Sequence, residues 1–154
     1  MPVRIIEDLD ELRRLVGQEI ATGDWYTVTQ DQINAFADVS GDHQWIHVDP
    51  ERARRESPYG TTIAHGFLTL SLLSQLHAKA VQFHKLPRMS INYGLNRVRF
   101  TSVVPAGSRI RVRSTLRELI EIPDGVRIVW EITVDIEGSP KPALVAEWLG
   151  QTYW

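Results

Sequence analysis

Gly66-Phe67-Leu68-Thr69-Leu70-Ser71-Leu72-Leu73-Ser74-Gln75-Leu76-His77-Ala78-Lys79-Ala80-Val81-Gln82-Phe83-His84 is the stretch that decides the fold. Its apolar residues fall nearly all round a helical wheel, with few strong polar interruptions before Gln75. A helix of that kind is buried on most of its sides. At the usual rise per residue, 66–84 predicts a rod about 30 Å long, enough to cross a small domain.

Something must wrap that rod. After Pro87 the texture turns to β-type runs at 90–101, 109–121, 126–137 and 144–152, and Arg109-Ile110-Arg111-Val112-Arg113 alternates strictly. Pro105-Ala106-Gly107, Pro123-Asp124-Gly125 and Gly138-Ser139-Pro140 separate the runs, and Asp124-Gly125 and Gly138-Ser139 are hairpin signals. The pattern predicts a four-stranded antiparallel meander, with 25–28 as a fifth strand. One buried helix against one curved antiparallel sheet is an α+β architecture. The arginines of 109–113 share one face, expected to be solvated.

Upstream, Leu9, Leu12, Leu15 and Val16 recur at helical spacing, predicting a short helix over 8–16. Thr29 and Gln32 fit a capping box, opening a helix that ends near Ser40-Gly41. Asp49-Pro50-Glu51 starts another, with Asp49 as cap, and 56–60 breaks it. No internal repeat, low-complexity tract or linker interrupts the chain, so 1–154 reads as one domain.

Bulk properties narrow the function. Net charge is −2, which offers no basic field for nucleic acid or an anionic membrane. There are no cysteines, so disulfides, thiolate zinc sites and a cysteine nucleophile are excluded. No apolar run approaches the roughly 20 residues of a membrane span. A cytoplasmic protein is expected.

The chemistry sits just before the long helix. Asp42 and His47 lie five residues apart across a turn-prone Gly41-Asp42 break, and Ala64-His65-Gly66-Phe67 follows as a small-residue entry to the helix. A carboxylate, an imidazole and a helix N-terminus are the parts for proton transfer beside a polarised carbonyl. His43 and His47 have no evident third ligand, so no metal is expected. His65 reads as a brace for the loop before the helix.

These blocks, 40–50 and 64–67, together with Asn92-Tyr93-Gly94-Leu95-Asn96-Arg97-Val98-Arg99-Phe100 and Pro105-Ala106-Gly107, resemble the MaoC-like hot-dog family of (R)-specific enoyl-thioester hydratases and dehydratases. The filling Gln44-Trp45-Ile46 resembles its NodN-like branch. The resemblance covers 25 to the C-terminus. It implies a sheet wrapped round one central helix, homodimers paired edge to edge, and reversible hydration of a 2-enoyl thioester to the (R)-3-hydroxyacyl thioester. It implies Asp42 and His47 as the acid–base pair on one water, with the division of base and acid left open by spacing alone. Gly66 is expected to supply an oxyanion N–H. Ser74 matches a serine beside the pair. Arg97 and Arg99, at i and i+2 on one strand, would receive coenzyme A phosphates, and Asn92 and Asn96 would bond its pantetheine. No cofactor is expected beyond the coenzyme A carried by the substrate. Two rivals stand beside this reading. A hot-dog thioesterase is disfavoured because the helix from Phe67 to Ala78 has no Asp or Glu, and a non-catalytic acyl-thioester binder would need no acid–base pair.

Overall fold

In the computed structural model, which describes residues 1–154, one long antiparallel sheet packs against a two-part helix. The elements in chain order are β1 (Arg4–Ile6), α1 (Leu9–Arg14), β2 (Glu19–Thr22), β3 (Tyr26–Thr27), α2 (Gln30–Ser40), α3 (Trp45–Val48), α4 (Pro50–Glu56), α5 (Gly66–Ser71), α6 (Leu73–Ala80), β4 (Val81–Phe83), β5 (Met89–Arg99), β6 (Arg109–Ile122), β7 (Gly125–Ile136) and β8 (Leu144–Tyr153).

The sheet runs β2-β6-β7-β8-β5, with β3 also on β6. So β6, β7 and β8 form the expected meander, but β5 does not precede β6 in space. It pairs with β8, Asn92 opposite Gly150 and Arg99 opposite Val145. The cause is occupancy: β2 and β3 already take the free edge of β6, leaving β8 as the open edge. Strand alternation then decides the faces. Ile110, Val112, Ser114 and Leu116 of β6, and Val126, Ile128, Trp130, Ile132 and Val134 of β7, are buried. They meet Leu68, Leu73, Leu76 and Ala80 of α5 and α6 in one core. Each fully buried Leu or Ile contributes about 1.5–3 kcal/mol of transfer free energy.

The central helix differs from expectation in three ways. It breaks at Leu72, between α5 and α6, although the Leu72 and Leu76 N–H groups still bond to Leu68 and Leu72. It stops at Ala80, because Val81-Gln82-Phe83 forms β4, parallel to β1. One side stays open: Phe67, Ser71, Ser74, Gln75, Ala78 and Lys79 are exposed.

The turns and caps follow their local chemistry. Thr29 and Gln32 make the reciprocal capping box, and Asp49 accepts from the Arg52 N–H at 3.0 Å. In the β6–β7 hairpin it is Asp124, not Gly125, that takes the left-handed conformation, with φ 63. Gly125 serves for space: a Cβ there would stand 2.3 Å from the Thr152 carbonyl oxygen. The outward arginines are paired with acids. Arg109 bonds Glu137, Arg113 bonds Asp135 at 2.9 Å, and Arg117 bonds Glu131 at 2.9 Å. No helix is long and apolar enough to cross a membrane.

Candidate active site

The end of α2 sets the first catalytic candidate. Gly41 takes the left-handed conformation, φ 78, and turns the chain off the helix axis. Asp42 follows at once. Its Oδ1 accepts the Gln44 N–H at 3.2 Å, which leads the chain into the short turn α3. The sequence suggests a loop here; that helical turn instead gives His47 a fixed register.

His47 is 6% exposed. Its Nδ1 lies 2.7 Å from the Ile63 carbonyl oxygen. A carbonyl only accepts, so Nδ1 carries the hydrogen and neutral His47 keeps its lone pair on Nε2. That Nε2 is 3.9 Å from Asp42 Oδ2. The gap is too long for a direct hydrogen bond, and a water at ordinary distance from both atoms would bridge it. Burial pushes the His47 pKa below its ordinary value. The Ile63 bond opposes that shift, the nearby His65 adds to it, and Asp42 opposes it.

The loop before α5 clamps this pair. His65 stacks on His47 with ring centres 3.8 Å apart, and its Nε2–H donates to the Asp42 carbonyl oxygen at 2.9 Å. The expected brace is therefore present, and it reaches both members of the pair. Gln30, which the sequence did not single out, donates from Nε2 to the His47 carbonyl at 2.7 Å and accepts from the Thr62 hydroxyl. Nothing in sequence distinguishes that glutamine from any other polar residue opening a capped helix. Asp42, His47 and His65 place possible ligand atoms within 4.8 Å of one another. His65 is thus a third possible ligand that the sequence reading did not count: its Nε2–H is spent on the Asp42 carbonyl, and its Nδ1 is buried without a hydrogen-bond partner.

Gly66 is the first residue of α5, so its N–H has no partner inside the helix. An added Cβ here would lie 3.1–3.2 Å from the Phe100 ring atoms, so a side chain at this position would push that ring aside by a few tenths of an ångström. His47 and Gly66 line one open cleft of about 850 Å³, together with Tyr59, Thr69, Phe100 and Lys141. Lys141, another residue not anticipated, is the single Lys or Arg on that wall.

The remaining candidates stand elsewhere within one chain. Ser74 is exposed on α6, borders a different cavity, and makes no hydrogen bond to Asp42. Asn92 accepts from the Trp148 indole at 2.9 Å, and Asn96 donates to Glu147 at 2.9 Å. Arg97 borders a groove with Arg117 and Glu131, and Arg99 donates to the Val98 carbonyl at 2.7 Å. None of these five lines the cleft of His47.

With that geometry in place, comparison with known proteins is consistent throughout. Residues 11–134 match the family model described as the MaoC like domain. The chain is 49% identical to 3-hydroxyacyl-thioester dehydratase Z of Mycobacterium tuberculosis over 94% of its length and 95% of the relative's. It is 46% identical to nodulation protein N of Rhizobium meliloti over 92% of this chain and 88% of that one. Its structure superposes on an (R)-hydratase from A. caviae involved in PHA biosynthesis with a TM-score of 0.66, at 25% identity, covering 88% and 94% of the two chains. The chain belongs to the MaoC-like dehydratase and hydratase family and has its hot-dog fold.

Proposed function

We propose that this protein adds water reversibly across the α,β double bond of a 2-enoyl thioester, coenzyme A being the carrier, to give the (R)-3-hydroxyacyl thioester. The observation that carries the proposal is the His47 tautomer. With Nδ1–H held by the Ile63 carbonyl, the basic Nε2 faces the Asp42 carboxylate across a gap of one water.

In the hydration direction His47 takes a proton from that water, and its oxygen forms the new bond to Cβ. Asp42 orients the water and relays the proton, which forms the C–H bond at Cα. The water's atoms are all retained in the product, so no proton is exchanged with solvent overall. Negative charge develops on the thioester oxygen during addition. The N–H of Gly66, on the wall of the same cleft, supports an oxyanion role; loss of such a donor typically costs about 10²–10³ in rate. Lys141 supports the carrier end, since it is the cationic group on that wall. The (R) configuration is supported by the related hydratase. Nothing in this scheme calls for a cofactor.

The decisive assay is loss of conjugated-thioester ultraviolet absorbance with crotonyl-CoA, followed by chiral analysis. Decay to the (R)-3-hydroxyacyl thioester is expected. Release of free thiol without hydration would replace the proposal by a thioesterase. Binding without turnover, extending to longer enoyl chains and carrier-protein thioesters, would replace it by a binding protein.

A further inference from the structure

A second cavity, about 370 Å³, lies between α6 and the strands β5, β7 and β8. It shares no wall residue with the cleft of His47 and Gly66. Its size falls within the usual span of small-molecule sites, roughly 300–1,000 Å³. Val81, Ile91, Ile128, Trp130 and Trp148 supply apolar and aromatic wall, and no Asp, Glu, Lys or Arg lines it. A charged ligand would find no counter-charge there.

Among these walls stands one imidazole with no role in the chemistry above. His77 is wedged edge-on between Trp130 and Trp148, with ring centres 4.5 and 5.6 Å away. Its Nδ1 lies 2.9 Å from the hydroxyl oxygen of Ser114. Ser114 is 0% exposed and has no other side-chain hydrogen-bond partner. A buried hydroxyl must place its hydrogen somewhere, and Nδ1 is the acceptor present. Burial also keeps the ring neutral, pushing its pKa down to about 4. The hydrogen of the ring is therefore on Nε2, which has no partner within the chain.

The other polar groups around the cavity are mostly engaged. Ser90 donates to Thr152 at 3.3 Å, and Asn92 accepts from Trp148. Ser74, one turn before His77 on the same helix face, and the Asn92 amide NH2 are the other open groups. His77 lines this cavity, and an acceptor on a ligand there would give its Nε2–H the hydrogen bond it lacks within the chain.

We infer that this cavity is a binding site for an uncharged alkyl or ring group carrying one carbonyl oxygen, which accepts the His77 Nε2–H while Trp130 and Trp148 hold the hydrocarbon. Such a group has two sources with the same chemistry: a separate small molecule, or the far end of a thioester's acyl chain.

The test is a titration of ¹⁵N-labelled protein with octan-2-one and with 2-methyloct-1-ene, in which CH₂ replaces the carbonyl oxygen. The indole N–H signals of Trp130 and Trp148 report occupancy. The ketone is expected to bind about tenfold more tightly than the hydrocarbon, the worth of one neutral hydrogen bond. His77→Phe keeps the aromatic wedge and levels the two affinities, whereas His77→Gln restores an N–H donor and keeps most of the preference. Should His77→Phe fail to fold, Ser114→Ala releases the tautomer and narrows the preference instead. Equal affinities in the unaltered protein, or a preference that survives in folded His77→Phe, overturns the inference. Turnover then identifies the source, and this arm rests on the proposed hydration. An enoyl thioester with a keto group in its tail, favoured in kcat/KM over its all-carbon counterpart until His77→Phe abolishes the advantage, marks the acyl chain. Equal kcat/KM beside intact ketone binding marks a separate molecule. Binding is read without turnover, so failure of the hydratase proposal leaves the titration valid.

Discussion

Burial holds two imidazoles of this chain below their ordinary pKa, with different consequences. His47 must be neutral to accept a proton, and its pKa is lowered chiefly by burial. Hydration should thus be flat through neutral pH and fall as pH drops through a value below the usual histidine range. Asp42→Asn and His47→Gln should each lower kcat by about 10²–10⁴-fold, the usual worth of one acid–base group. His47→Gln should also erase the acid limb of the pH–rate profile. A limb that persists in His47→Gln would assign it to another group. For His77 the effect falls on stability. Above pH 6.5 neither the folded nor the unfolded imidazole binds a proton, and the residue contributes nothing to pH dependence. Between 6.5 and about 4 the unfolded chain takes up a proton that the folded state refuses, so stability falls with pH. A shift of that size is worth about 3 kcal/mol by pH 4. Denaturant midpoints at pH 7 and 4.5 should draw apart in the wild type and less so in His77→Phe, His47 supplying the remainder in the same direction.

At the level of elements, what was legible was local. The Thr29 box, the Asp49 cap and the Gly41 stop each act within four residues, and the structure has all three. The four long strands were legible because alternation is a property of each strand alone. Pairing was legible only along the β6–β7–β8 meander; β1, β2 and β4 are three or four residues long, and their partners lie 77 and 96 positions away, Arg4 on Val81 and Glu19 on Thr115. The place of β5 next to β8 is likewise decided by which edge is free. The pair Asp42 and His47 was visible as a motif, while the bond that fixes the His47 ring comes from the Ile63 carbonyl, 16 residues on, which no spacing reveals. Gly66 joins the two levels, since it begins α5 and makes room for Phe100, the residue just after β5. Gly66→Ala should cost at most about 1 kcal/mol, the low end of overpacking, because the Phe100 ring it meets is 45% exposed. Phe100→Leu in the same chain should recover part of that cost, giving a non-zero coupling in a double-mutant cycle of denaturation free energies. Simple additivity would mean that the ring yields without strain.

For the whole molecule the open question is what covers β5. One side of this strand of 11 residues is bonded to β8, and the other side has no partner in the sheet. Its N-terminal half does not carry the charges by which exposed edges are usually protected. Met89, Ile91, Tyr93 and Leu95 are each more than 40% exposed. Arg97 and Arg99 come only in the second half. An apolar unpaired edge of that length is a template for a second copy, and antiparallel pairing of β5 with its own equivalent closes the sheet by a two-fold axis. We therefore propose a homodimer joined through β5. The same contact would bring the open side of α6, with Ser74, up to the partner, which accounts for a serine that reaches no catalytic group in its own chain. Light scattering should give twice the protomer mass at working concentration. Leu95→Lys places a charge in the middle of the shared edge and should move the equilibrium toward monomer without unfolding the chain. A wild-type monomer would refute the pairing; a dimer untouched by Leu95→Lys would move the interface off β5.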